Sequence, residues 1–204
     1  MKQFYYFILL IFISACAVQG PISGGPVDLT PPQLISVYPP NLSTEIDKYE
    51  VITLIFNEQI DPISAYEAIR ITHHNFDIKV KGKKIVVSSK GGWDSASLLD
   101  IYIGKALRDY QGNALNKPLN LFYSLLDYIP SYKISGEIID IDNILNSLKS
   151  LHSNNAYNPS EYEVGLYQKL DSGMTFIKKV ETDINSKFLF SALEEGVYTL
   201  AAVN

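Results

Sequence analysis

From Gln33 onward, short apolar runs alternate with turn residues, and the runs carry the period of strands rather than helices. Residues 33–38 read as a first strand. Val51-Ile52-Thr53-Leu54-Ile55-Phe56 reads as a buried one, nearly continuous in apolar residues. Asp77-Ile78-Lys79-Val80-Lys81 alternates strictly, which turns Ile78 and Val80 inward and the lysines to water. Gly82 then turns the chain into Lys84-Ile85-Val86-Val87. Leu99, Ile101 and Ile103 share the inner face of another strand, and residues 119–126 close the set. No helical periodicity long enough to compete appears in this half, which excludes a doubly wound α/β sheet.

Residues 127–132, with Pro130 among them, form a boundary. Strands are expected after it at 132–140, 162–167, 176–182, 187–193 and 197–203. Between Asp140 and Tyr162, the residues Ile141, Ile144, Leu145, Leu148 and Leu151 fall at helical spacing. They predict a short amphipathic helix that plugs the open end of a sandwich, or alternatively docks a partner. The Asn-containing stretch 153–160 reads as a loop. The strand at 197–203 would leave a naked edge, so the expectation is that a longer chain or a partner strand completes the sheet.

The N-terminus has a different pattern. One charge, Lys2, precedes an unbroken apolar run over residues 4–13. Such a run suits a signal-peptide core and falls short of the roughly 20 residues that a spanning helix needs. Ile13-Ser14-Ala15-Cys16 follows and resembles a bacterial lipobox: an aliphatic residue, two small ones, then the cysteine that becomes the acylated N-terminus. The small residues admit the signal peptidase, and the thiol accepts the diacylglyceryl group. Palmitate-class acyl chains on Cys16 would anchor the protein stably, at about 0.8 kcal/mol per buried methylene. Ala17 and Val18 include no aspartate of the kind that marks inner-membrane retention, so the resemblance favours the outer membrane of a Gram-negative cell. Which way the protein faces there stays open. Residues 16–30 are Gly/Pro-rich and read as a tether.

Pro31-Pro32-Gln33-Leu34, Tyr38-Pro39-Pro40-Asn41 and Leu54-Ile55-Phe56-Asn57-Glu58 occur in the order seen in bacterial Ig-like domains of the SbsA (S-layer protein) type. Asp109-Tyr110-Gln111-Gly112-Asn113-Ala114-Leu115 is similar to their turn before the last strand. Gly91-Gly92-Trp93-Asp94 departs from that pattern. Residues 132–204 resemble a prealbumin-like, carboxypeptidase-regulatory-type domain through Ile134-Ser135-Gly136-Glu137-Ile138-Ile139-Asp140, Lys187-Phe188-Leu189-Phe190-Ser191-Ala192-Leu193 and Glu195-Gly196-Val197-Tyr198-Thr199-Leu200. The resemblance gives Gly196 a tight turn and Tyr198 a buried place. Where it wants glycine before Phe188, this chain has Ser186-Lys187.

Composition narrows the function. With 47% hydrophobic and 19% charged residues the chain is globular, and 14 Tyr with 9 Phe suit pleated faces. A net charge of -5 argues against nucleic acid, and the cluster Lys79 to Lys84 reads as two strand ends around a turn. Cys16 is the one cysteine, so the domains rest on core packing alone. Glu58, Asp61, Asp109 and Asn113 could converge on Ca²⁺, against ordinary turn chemistry as the plainer alternative. His73 and His74 are strand neighbours that point to opposite faces, and His152 lies in the other half, so no metal is expected from them. Tyr167 and Asp171 read as hairpin surface. Neither a P-loop, nor a dinucleotide loop, nor a nucleophile elbow occurs, so no catalytic residue and no cofactor is expected.

These readings converge on an all-β chain: signal peptide 1–15, tether 16–30, Ig-like β-sandwich 31–127, and a prealbumin-like, incomplete β-sandwich 132–204. The expected function is that of a non-catalytic, lipid-anchored envelope protein, a structural or protein-interaction module with an envelope protein or glycan as partner. The alternative is a carbohydrate- or peptide-binding accessory part of a larger enzyme, for which exposed Trp93 and Tyr110 would be the signature.

Overall fold

The computed structural model describes residues 27–72, 74–93, 98–141 and 162–203. All strand pairs in it are antiparallel. The first half builds a four-stranded sheet in the order β1-β2-β5-β4 from β1 (Leu34–Tyr38), β2 (Ile52–Phe56), β5 (Lys84–Ser89) and β4 (Phe76–Lys81). A three-stranded sheet, β3-β6-β7, lies against it, built from β3 (Ile69–Ile71), β6 (Leu99–Ile103) and β7 (Leu119–Tyr123).

Alternation decides what fills the space between the two sheets. Ile52, Leu54 and Phe56 of β2 are buried, as are Ile85 and Val87 of β5 and Leu99, Ile101 and Ile103 of β6. Each such side chain contributes about 1.5–3 kcal/mol on leaving water. The β2 run, nearly continuous in apolar residues, alternates in burial: Thr53 and Ile55 are half-buried and Val51 is exposed. Ile78 is buried and Val80 half-buried as expected, with Lys79 and Lys81 in water around the Gly82 turn.

One element was not foreseen. Between β2 and β3 the chain forms a seven-residue helix, α1 (Pro62–Ala68). Pro62 occupies the first turn, where its missing N–H costs nothing, and Asp61 caps it. Ala65 and Ala68 face the core, and the helix ends at Ile69, which is already extended.

The second half has its own core around Leu166, Val164, Val180, Phe188, Phe190 and Leu193. A three-stranded sheet, β10-β9-β12, is made of β10 (Gly173–Glu181), β9 (Glu163–Leu170) and β12 (Tyr198–Val203). A two-stranded sheet pairs β11 (Lys187–Leu193) with β8 (Tyr132–Glu137). Tyr167 and Asp171 lie on the β9–β10 hairpin, with the Tyr167 ring edge-on to Phe176 at 5.4 Å. The expected amphipathic stretch lies outside the described residues except for Ile141, which is exposed. The loop at 153–160 and His152 lie outside them too.

Two residues in this half behave differently from what the resemblance implied. Tyr198 is half-buried, with its hydroxyl donating to the Glu194 carbonyl at 2.9 Å. Gly196 does not adopt a left-handed turn, and a Cβ there would crowd only the movable end of the Gln168 side chain, at 2.9 Å. Left-handed backbone is instead found at Ala192, at φ 55°, and at Ser186, at φ 57°. Its N–H donates to the Asp183 carbonyl at 3.0 Å and its carbonyl accepts from Ile138 at 2.9 Å, so the backbone is held there by two bonds. A glycine would relieve strain of about 1–2 kcal/mol and return about 0.5–1 kcal/mol of chain entropy. Ser186→Gly is therefore expected to raise unfolding free energy by about 0.5 kcal/mol in urea titrations. A lower midpoint would show that the Ser186 side chain contributes more than its backbone costs.

Candidate functional site

The outward face of the β6-β7 sheet does not meet water. Asp100 and Tyr102 of β6 and Phe122 of β7 point away from the first core and pack against the second half, where Tyr102 joins the second core. A bulge between Phe176 and Lys178 resets β10 so that Lys178 faces inward beside Leu166. From there its ammonium reaches Asp100 Oδ2 at 2.7 Å and the Ser191 carbonyl at 3.1 Å, and it lies 5.2 Å from the centre of the Phe122 ring. Both partners of this ion pair are nearly enclosed, with side-chain exposures of 15% and 13%.

Glu181, three residues on, completes the seam. Its N–H donates to the Tyr102 hydroxyl at 3.0 Å, one carboxylate oxygen accepts from the Lys105 N–H at 2.9 Å, and the other accepts from Arg70 at 3.2 Å. Arg70 also stacks over the Tyr102 ring at 5.1 Å. Burial pushes the Tyr102 phenol above its ordinary range. None of these residues was singled out from sequence, because a charge inside a strand looks solvent-facing until its partner from the other half is known.

Beside the seam a cleft of about 900 Å³ opens between the halves, with the linker 127–131 along it. Its walls are the start of β7 with the 41–44 loop on one side, and the outward face of β8 and β11 on the other. A second cavity of about 540 Å³ adjoins it, with Lys117, Leu119 and Asp183 lining both, and the two side by side form a trough in the surface. Clefts of this size between domains are where ligands and partners commonly bind.

The residues weighed for calcium do not assemble a site. Asp61 uses both carboxylate oxygens to cap α1, accepting from the Ile63 and Ser64 N–H groups at 3.1 Å each. Asp109 is buried and accepts from the Asn113 N–H and side-chain amide at 2.8 Å each, closing the turn in which Gly112 takes φ 90°. Burial pulls its carboxyl upward, but these bonds outweigh it and hold it below the ordinary value. Glu58 is shifted the other way, by partial burial first and then by the nearby charge of Asp28 and a hydrogen bond with Asp109. Among the described residues no group of three His, Asp, Glu or Cys side chains is placed to hold a metal ion. His74 instead meets the Trp93 ring edge-on at 5.6 Å, and His73 lies outside the described residues. Trp93 itself is fully buried, its indole donating to the Glu50 carbonyl at 2.8 Å. The exposed pair that would have marked a glycan-binding face is therefore not formed by these two: Tyr110 is exposed, whereas Trp93 is core. Cys16 lies outside the described residues.

Two predictions arise from these contacts. Asp61→Ala should cost about 1 kcal/mol of stability through the lost cap, with no change in Tm on adding millimolar Ca²⁺ to either protein. A calcium-induced rise in Tm of the parent that disappears in the variant would instead make Asp61 a ligand. The second concerns Asp100, whose carboxyl burial raises, against the opposing pull of Lys178. Its folded value lies above the unfolded one, about 3.9, so its contribution to stability is present below that value and fades as pH rises through the folded one. The difference in unfolding free energy between the parent and Asp100→Asn should therefore shift with pH in the mildly acidic range, the parent losing ground as pH rises. A difference that stays flat there would show that Asp100 ionises as freely as in the unfolded chain.

Comparison with curated proteins returns no match. Among solved structures, native alpha-2-macroglobulin from Escherichia coli spanning domains MG0-NIE-MG1 is similar at 13% identity and a TM-score of 0.34, covering 85% of this chain and 66% of that one. That similarity is too distant to carry an argument. The family comparison is local and direct: residues 28–124 match the bacterial Ig-like domain, and they are the residues that fold into the four-on-three sandwich. The first module, residues 28–124, is thus similar to the bacterial Ig-like domain and folds as an Ig-like β-sandwich.

Proposed function

We propose that this chain is a non-catalytic, lipid-anchored protein of the outer membrane that acts as a structural or protein-interaction module. The observation that carries the reading is the Ig-like domain at 28–124, of a kind that is typically non-catalytic, joined to a second β unit through a charged, nearly enclosed seam. Such a pair offers loops and a trough rather than a reaction centre. Residues 132–204 are read as a prealbumin-like domain, on the phrases around Gly136, Phe188 and Tyr198. The anchor is read from Ile13-Ser14-Ala15-Cys16 after the apolar run, and the Gly/Pro-rich residues 16–30 as the tether. The accessory-subunit alternative loses its aromatic signature, because Trp93 is buried.

The test is metabolic labelling with a palmitate analogue, together with detergent phase partition and in-cell crosslinking of the tagged protein. The parent is expected to take up label, enter the detergent phase and crosslink to an envelope protein. Cys16→Ser should lose the label and appear in the aqueous phase. Equal partition of the two forms would overturn the anchor, and a specific small-molecule turnover by the purified protein would overturn the non-catalytic reading.

A further inference from the structure

We infer that the trough between the two halves binds an extended acidic segment of a partner protein; this rests on the interaction-module reading above and names its site. Three lysines line the main cleft: Lys117 from the loop before β7, Lys133 on β8 and Lys187 on β11. Among the described residues none of the three has an ion-pair partner, whereas Lys90, Lys178 and Lys179 each do. Two carboxylates share the trough. Asp183, which accepts from the Asn185 and Lys187 N–H groups at 2.8 and 2.9 Å, and Asp127 together oppose three cations, which leaves one positive charge in excess. The site is thus net positive on a chain whose net charge is -5, the kind of local contrast that selects an anionic occupant.

Its apolar side chains say which anion. Leu42 (59% exposed), Leu189 (47%) and Ile184 (64%) stand along the trough in reach of solvent. These are aliphatic anchors, suited to the alternate side chains of an extended peptide. Sugar rings bind by stacking on open aromatic faces. The exposed aromatic among the described lining residues is Tyr128, whose hydroxyl is held by Glu194 at 3.1 Å. The two cavities adjoin across Lys117 and Leu119, and side by side they offer the length of surface that an extended chain needs and a compact anion would not use.

The probe is a pool of synthetic decapeptides with Glu or Asp at alternate positions and randomised apolar residues between them. It is offered to the full-length chain purified in detergent, beside a matched pool carrying Lys and beside polygalacturonate. The acidic pool should be retained over the Lys pool, and retention should fall as salt rises. The triple variant Lys117→Glu, Lys133→Glu, Lys187→Glu should weaken binding of the best acidic peptide by about tenfold or more, as three exposed ion pairs would. Equal retention of both pools, or unchanged affinity in the triple variant, would overturn the proposal. Retention of polygalacturonate without the acidic peptides would overturn it in favour of a glycan. Because this binding is read in solution, it can fail while Cys16 still anchors the chain, and it can succeed if the anchor is absent.

Discussion

A lysine held between two sandwiches sets the geometry of this molecule. Removing an ammonium from water costs several kcal/mol, and Lys178 recovers it only where Asp100, the Ser191 carbonyl and the Phe122 ring all meet it. Those three groups come from β6, β11 and β7, so two belong to the first half and one to the second. If the halves slid by a few ångströms, a nearly enclosed charge would lose its partner, at a cost of about 3–5 kcal/mol. The pair need not add much net stability to impose this. Asp100 Oδ1 has no hydrogen bond of its own, so the pair is only partly compensated as it stands. What it supplies is orientation, and Glu181 reinforces it by tying Tyr102, Lys105 and Arg70 to the same strand.

The seam also changes what the β6-β7 sheet is. An antiparallel sheet in a lone sandwich has one dry face and one wet one. Here both faces are covered: Leu99, Ile101 and Ile103 enter the first core, while Tyr102, between two of them in sequence, enters the second. The second half therefore borrows a core residue from the Ig-like domain. Its own sheets have three and two strands, and β12 carries the exposed Leu200 and Val203 along an edge that β9 pairs on one side only.

Much of this was legible from period alone. The alternation of Ile78 and Val80 with lysines, and the shared face of Leu99, Ile101 and Ile103, follow from the twofold repeat of a strand, and the observed faces agree. The Asp109 to Leu115 turn was visible because Asp, Gly and Asn at those offsets answer local demands, met here by the Asp109–Asn113 bonds and by the φ of Gly112. What escaped was non-local or too short. Helix α1 is a single Asp-Pro cap followed by two turns, below the length at which period speaks, and Asp61 resembled a metal ligand for the same reason that it makes a good cap. Asp100 and Lys178 lie 78 residues apart, and nothing in either neighbourhood announces the other. One signal was there to be used: Leu121-Phe122-Tyr123 is apolar without alternation, the mark of a strand covered on both faces.

Trough and seam follow from the same contact. Two twisted sandwiches that meet through one sheet face touch along a band and diverge beside it. The band is where Tyr102 and Lys178 are sealed from water. The divergence is where Lys117, Lys133 and Lys187 line the opposing walls, none with an ion-pair partner among the described residues. Because the seam fixes how far the walls stand apart, the trough is preformed, and an extended segment entering it would not have to order the protein as well as itself. Were the trough to bind as proposed, a change that loosens Lys178 from Asp100 would weaken that binding without touching any residue that lines its lysine rim. That coupling separates a built site from two sandwiches that happen to lie side by side.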